Sequence, residues 1–217
     1  MNRPPADRGD AVRDIERYAA VARRIGGRRP RLGGTRLVAV DGPSGAGKSV
    51  FAGRLAAAFP SPPPVVHTDD FLDGWDDQFS FWDRLEELVL APLRAGRPGR
   101  HRHYDWERGR FVGPWVAVPP APVVILEGVT AARAAARPIL TFAIFVTAPP
   151  RLRLDRALRR DGEQSRAYLL RWRRRENRHF AAERTAAYVD LVVDGAARAP
   201  HDPATEFVRM GSGYPQA

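Results

Sequence analysis

The sequence predicts an α/β fold: a mostly parallel five-stranded sheet, covered by helices on both faces to give three layers, with an arginine-rich helical lid. Three observations predict it. Runs such as VVILE (123–127) and ILTFAIFV (139–146) are almost unbroken apolar stretches, the pattern of strands buried on both sides. They alternate with stretches of helical spacing, which is how parallel strands are joined. A further run, RLVAVD (36–41), passes through a glycine-rich turn directly into a helix.

Each element can be justified in order. Residues 10–25 (DAVRDIERYAAVARRI) have helical spacing, with Val12, Ile15, Ala19 and Ala22 on one face. Residues 26–34 form a basic linker, so 1–35 are set apart as an N-terminal helix and linker. RLVAVD (36–41) is the first strand, and SVFAGRLAAAF (49–59) reads as an amphipathic helix. The prolines of 60–64 force a stiff turn into a second strand at 65–67. Residues 81–94 are helical in spacing, and 96–120 are turn-rich, with aromatics and short strand-like pieces. Strands follow at 122–128, 139–146 and 189–193, the last two separated by a strongly helical stretch over 150–188. The main domain is thus 36–200, with the lid at about 150–180 and a C-terminal tail over 201–217.

The bulk composition suits one globular domain. The 217 residues are 44% hydrophobic and 28% charged, enough for a sizeable core. Cysteine is absent, which rules out disulfides and thiolate metal sites and suits a reducing compartment. Residues 1–10 are polar with no apolar stretch behind them, and the apolar runs are too short to cross a bilayer. A soluble cytoplasmic protein without membrane contact is expected. The net charge of +10 would suit a polynucleotide partner, but it is concentrated. Between Arg151 and Arg178, eleven arginines stand against four acids, a local balance of +7. One arginine-dense segment meeting phosphate groups explains most of the surplus, so nucleic acid is not needed as a partner. Self-association into a homo-oligomer stays open.

Of the 35 basic residues one is lysine, Lys48, and it lies in Gly42-Pro43-Ser44-Gly45-Ala46-Gly47-Lys48-Ser49. This is a full match to G-x-x-x-x-G-K-[ST], the phosphate loop of P-loop NTPases. Where arginine serves every other basic position, the loop keeps an ammonium. A compact charge fits inside a ring of backbone N–H groups and reaches the β- and γ-phosphates, where a planar guanidinium is too large. Strand, loop and helix together aim a helix N-terminus at an anion. Gly42, Ser44, Gly45, Ala46, Gly47, Lys48, Ser49 and Val50 are therefore the expected ATP-binding residues, and the Ser49 hydroxyl the expected Mg²⁺ ligand.

Phosphoryl transfer also needs a group to orient the nucleophile, further Mg²⁺ ligands and positive charge on the moving phosphoryl. Asp69 and Asp70 close the second strand; one could accept the proton of an incoming hydroxyl while the other holds Mg²⁺ through water. Their alternative is a turn pair before Phe71. Glu127, after four apolar residues, is a Walker-B-like carboxylate or a plain strand-terminating acid. Arg153, Arg156, Arg159 and Arg160 could close over the triphosphate, or form a solvated face. Tyr104, Asp105 and Trp106, with Trp75 and Trp82, could line an acceptor pocket, and Arg166 is counted with them. His67 reads as structural, and His101, His103 and His179 show no metal-site spacing.

Taken in order, these segments resemble the uridine kinase and phosphoribulokinase branch of small-molecule kinases, over about residues 36–195. GPSGAGKS matches the phosphate loop, Asp69-Asp70-Phe71 the strand-end aspartate, Tyr104-Asp105-Trp106 the acceptor segment, and VVILEG the strand ending in Glu127 and Gly128. IFVTAPPRLRLDRALRRD matches the strand and arginine-rich lid, and Tyr188-Val189-Asp190-Leu191-Val192 the late strand. The resemblance implies an ATP- and Mg²⁺-dependent kinase acting on a hydroxyl of a small molecule such as a nucleoside. It also implies Asp69 as catalytic base, with Arg156 and Arg160 contacting phosphate. Two segments depart from the pattern, both on the acceptor side. Glu107-Arg108-Gly109-Arg110 stands where the family has His-Ser-Arg, and Phe81-Trp82-Asp83 replaces His-Pro-Asp-aromatic-Asp. Uridine itself is thereby disfavoured, and a vitamin or specialised metabolite is the alternative acceptor. A GTPase reading fails because an N-K-x-D motif needs a second lysine and no D-x-x-G occurs. A nucleic-acid-associated NTPase is the remaining alternative.

Overall fold

The computed structural model describes residues 13–211; the polar stretch 1–10 and the end of the C-terminal segment lie outside the described residues. In chain order the elements are β1 (Arg13–Arg17), α1 (Tyr18–Gly26), β2 (Arg36–Asp41), α2 (Lys48–Ala57), β3 (Val65–His67), α3 (Trp82–Leu85), α4 (Ala91–Arg94), β4 (Gly99–Asp105), β5 (Arg110–Val118), β6 (Val123–Glu127), β7 (Leu140–Thr147), α5 (Pro150–Asp161), α6 (Arg166–Glu183), β8 (Leu191–Asp194) and β9 (Glu206–Met210).

The main sheet has the order β1-β9-β8-β7-β2-β6-β3. Its strands β8, β7, β2, β6 and β3 pair in parallel, and these are the five strands read from the sequence. The sheet is nevertheless seven-stranded, because β9 and β1 extend it antiparallel. Alternation along each strand assigns the faces. Leu37, Ala39, Val124 and Leu126 meet Leu85, Val89, Leu93 and Trp172 on one side. Val38, Val40, Val123 and Ile125 meet Tyr18, Val21, Phe51 and Leu55 on the other. Both faces are dry, which is why these strands carry no polar alternation. The result is the three-layer arrangement expected.

The differences from expectation have local causes. Of the helix expected over 10–25, residues 10–12 with Val12 lie outside the described residues, and 13–17 form β1, with Ile15 opposite Val208 of β9. Charge spacing in RDIER imitates a helix face, but a partner strand near the other end of the chain claims the backbone. The buried face of α1 is accordingly Tyr18, Val21, Ala22 and Ile25. The segment expected as a helix over 81–94 is helical from Trp82 to Arg94, with a π-helical turn at Glu86–Leu90 between α3 and α4. Pro92, which has no N–H to donate, stands two residues after it, in the first turn of α4. The turn-rich stretch 96–120 is a two-stranded antiparallel hairpin, β4 with β5. The long helical stretch breaks at Gly162, φ 81°, into α5 and α6.

Candidate active site

The site lies at the carboxyl ends of the parallel strands, where loops from β2, β3 and β6 meet. Asp41 ends β2 with a fully buried carboxylate. It accepts the backbone N–H groups of Gly42 at 2.6 Å, Thr130 at 3.0 Å and Ala132 at 2.8 Å. Burial pushes its pKa up to about 6, against the pull of those N–H groups and of Lys48. Asp41 is thus a brace that fixes the phosphate loop to the turn after β6, not a group facing a ligand.

The loop itself needs glycine where the backbone turns left-handed. Gly42, at φ 138°, has no room for a side chain: a Cβ would stand 2.0 Å from the Val146 carbonyl oxygen. Gly47, at φ 102°, caps α2 with no side-chain hydrogen bond, so the first N–H groups of this ten-residue helix point freely into the loop. Lys48 is buried at 8% exposure, and its Nζ donates to the Pro43 carbonyl at 3.3 Å.

Parallel pairing of β3 with β6 sets His67 beside Glu127. Glu127 Oε2 accepts from Ser49 Oγ at 3.1 Å and lies 2.6 Å from His67 Nδ1. Burial works to raise the Glu127 carboxyl, but the His67 hydrogen bond, Lys48 and Ser49 outweigh it and hold the group below its usual range. The same hydrogen bond raises His67, against partial burial. His67, read from the sequence as structural, is therefore part of this polar centre. Gly128, at φ 148°, lets the turn close, since a Cβ there would meet Thr68 Oγ1 at 1.7 Å.

Asp69 sits on the 3-10 turn Thr68–Phe71 directly after β3. Desolvation raises its carboxyl and Glu127 adds to this, while Lys48, Arg160 and His67 oppose it. Asp69 is an exposed residue, so water reaching the cleft weakens that desolvation. Its neighbour Asp70 faces away, with Oδ1 2.8 Å from His103 Nδ1 and Oδ2 3.4 Å from His101 Nδ1.

Two lid arginines reach the site by different routes. Arg156 Nη1 donates to the carbonyls of Gly45 at 3.2 Å and Gly195 at 3.1 Å, clasping the phosphate loop to the turn after β8. Arg160 pairs through two nitrogens with Asp161 at 2.6 and 2.9 Å, and still lies in the field of Asp69 and Glu127. Arg166 is exposed and ion-paired to Glu163, its Nη2 at 2.9 Å, at the outer end of the lid.

On the acceptor side, Trp75 gathers Trp106 at 5.1 Å, Tyr168 at 5.5 Å in a stacked arrangement and Trp172 at 5.9 Å. Tyr104 joins through Trp106 at 5.1 Å. Trp82 instead packs on Phe81 with the Arg133 guanidinium 5.3 Å over its ring. Asp105 Oδ1 accepts the N–H groups of Glu107 at 3.0 Å and Arg108 at 2.9 Å, a turn-forming role in the β4–β5 hairpin.

Solved structures with this architecture exist. A candidate uridine kinase of Bacillus stearothermophilus superposes with a TM-score of 0.59 at 18% identity, covering 81% of this chain and 96% of that one. A candidate fructose transport system kinase of Silicibacter sp. TM1040 gives a TM-score of 0.60 at 23% identity, covering 76% and 94%. The fold is that of the P-loop kinases. No protein-family model matches the chain. Among curated proteins it is 31% identical over 134 residues to inorganic pyrophosphatase TTM1 of Arabidopsis thaliana. That match covers 58% of this chain but spans only 20% of the length of TTM1.

Within the P-loop kinase fold, sequence reasoning missed two parts of the site. Glu176 of α6 is fully buried, and one oxygen, Oε1, accepts the Ser44 N–H at 2.9 Å, the Ser44 hydroxyl and the Trp172 Nε1–H at 2.7 Å. It binds lid to phosphate loop, and its position inside an arginine-dense helix hid it. A cleft of about 500 Å³ beside α2 is lined by Gly47, Val50, Arg54, Arg156, Gly195 and His201. Part of that lining comes from the segment read as a tail, which had no motif to announce it. No helix among the described residues is long and apolar enough to cross a membrane.

Proposed function

We propose that this protein transfers the γ-phosphoryl group of ATP to a hydroxyl of a small molecule. One observation carries the reading: Ser49 Oγ and Glu127 Oε2 lie 3.1 Å apart beside buried Lys48, with Asp69 in the field of both charged groups. A hydroxyl and a carboxylate oxygen held together at a helix N-terminus fit Mg²⁺ with a triphosphate, so Ser49 and Glu127 would hold the ion. The ion would offset charge on the β- and γ-phosphates. Lys48 and the N–H groups of residues 45–50 grip the phosphates, and the 500 Å³ cleft beside α2 accommodates the base and ribose. Asp69 takes the proton of the acceptor hydroxyl on a carboxylate oxygen as that hydroxyl oxygen bonds to the γ-phosphorus. The bond from γ-phosphorus to the bridging oxygen breaks and ADP leaves. Arg160 and Arg156 add positive charge and help exclude water that would otherwise hydrolyse ATP.

The Trp75, Tyr104, Trp106 and Tyr168 rings favour an acceptor with a flat ring or a sugar face. ADP release measured across nucleosides, vitamins and aminated sugars tests the proposal. An acceptor that stimulates release, with a loss of orders of magnitude in kcat but little change in ATP affinity for Asp69→Asn, supports it. No affinity for any nucleoside triphosphate overturns it. A second reading, hydrolysis of a phosphoanhydride, is favoured by the likeness to TTM1. Phosphate release from pyrophosphate without any acceptor would establish that reading instead.

A further inference from the structure

Turned away from the phosphate loop, Asp70, His101 and His103 converge on one point, their ligand atoms all within 4.8 Å of one another. The two histidines come from β4 and the aspartate from the 3-10 turn after β3. They stand two apart in His101-Arg102-His103, the spacing that sets side chains on one face of a strand, and the extra residues of the register shift here lie on β5. Asp70 is the hinge of the group, with one oxygen toward each ring, 2.8 Å from His103 Nδ1 and 3.4 Å from His101 Nδ1.

A hydrogen-bonded aspartate with two histidines would be an ordinary polar cluster if every atom were satisfied. It is not. His101 is 5% exposed, packed against Phe71 at 5.5 Å, and its Nδ1 is buried without a hydrogen bond although it faces Asp70. A buried ring nitrogen that stands 3.4 Å from a carboxylate without a hydrogen bond costs free energy that a bound cation would remove. Two imidazoles and a carboxylate are the donor set of borderline divalent transition ions, and three protein ligands leave a coordination position open. Mg²⁺, which prefers oxygen donors, is poorly served by two imidazoles.

We propose that Asp70, His101 and His103 form a binding site for a divalent transition ion of the Zn²⁺ class. The site is separate from the Ser49–Glu127 pair and does not rest on the proposed kinase activity. It joins the turn that carries Asp69 to the strand that carries Tyr104, and a bound ion would clasp the hairpin to the end of β3.

The test uses the untagged full chain after EDTA dialysis, without nucleotide. Titration with Zn²⁺ by calorimetry, and with Co²⁺ by visible absorption, is expected to show one ion per chain and to be insensitive to excess Mg²⁺. His103→Ala changes an exposed side chain and should leave the fold intact by circular dichroism. It is expected to weaken Zn²⁺ binding by roughly 100-fold or more, beyond the loss of a mere outer hydrogen-bond partner. Asp70→Asn should act similarly, whereas Ser49→Ala should leave the affinity unchanged. Absence of Zn²⁺ and Co²⁺ binding, or binding equally tight in wild type and in His103→Ala and His101→Gln, would overturn the assignment.

Discussion

Glu176 offers a sharp quantitative test of how the lid is joined to the phosphate loop. Three donors, the Ser44 N–H, the Ser44 hydroxyl and the Trp172 indole N–H, converge on Oε1, while Oε2 is buried without a hydrogen bond. Glu176→Ala removes the acceptor for all three. Leaving a buried donor unsatisfied costs about 1–3 kcal/mol, and the three are neighbours whose losses are not additive. The expected destabilisation is roughly 3–5 kcal/mol, with a cavity contribution included. Glu176→Gln behaves differently. Its carbonyl oxygen can take the place of Oε1, and its amide exchanges one unpartnered buried atom for another. Only the surplus strength of carboxylate over amide as an acceptor is lost, about 1–2 kcal/mol. Urea unfolding gives both numbers, and fluorescent-ATP titration reads the phosphate loop. In Ala the Ser44 anchor is gone and ATP affinity should fall about tenfold or more; in Gln it should stay within a few-fold. Equal destabilisation by the two variants, or an Ala variant within about 1 kcal/mol of wild type, would refute the idea that this oxygen bears the joint.

Two further outcomes are expected. Lys48→Arg keeps the charge but should abolish turnover and weaken nucleotide binding, since Nζ lies within the loop at 3.3 Å from the Pro43 carbonyl and a guanidinium does not fit there; full activity by ADP release would contradict this. The His67–Glu127 contact should stabilise the fold over a defined pH window. His67 is raised above its usual 6.5, so its contribution is complete below 6.5 and is lost as pH rises through the raised value. Glu127 is lowered below 4.5, so its contribution is present above 4.5 and is lost as pH falls through the lowered value. The difference in urea midpoint between wild type and His67→Ala should therefore be largest between pH 4.5 and 6.5 and shrink at alkaline pH. A difference that grows with alkalinity would rule the contact out as its source.

What could be read from the sequence was whatever lies within one stretch of chain. The phosphate loop is contiguous, so its glycines, Lys48 and Ser49 were legible together, as were the five parallel strands, whose burial on both faces leaves an unbroken apolar signature. Glu127 stood out for the same reason, as the polar end of such a strand.

The misreadings fall where the deciding partner is remote. β1 became a strand only because β9 pairs with it from the far end of the chain, and no local spacing encodes that. His67 was assigned to structure because its neighbour across the sheet, Glu127, is sixty residues away. Asp70 looked like a partner of Asp69, but adjacent residues on a 3-10 turn diverge, and its carboxylate went to the hairpin instead. That divergence gives the two aspartates different nearest partners, although both act on His67: Asp69 shares a field with Lys48 and Glu127, whereas Asp70 stands between two imidazoles. Neighbours on a single turn can therefore point to different partners, and the sequence pair Asp69-Asp70 is better understood as a junction between two polar groups than as a base and a Mg²⁺ ligand of one site.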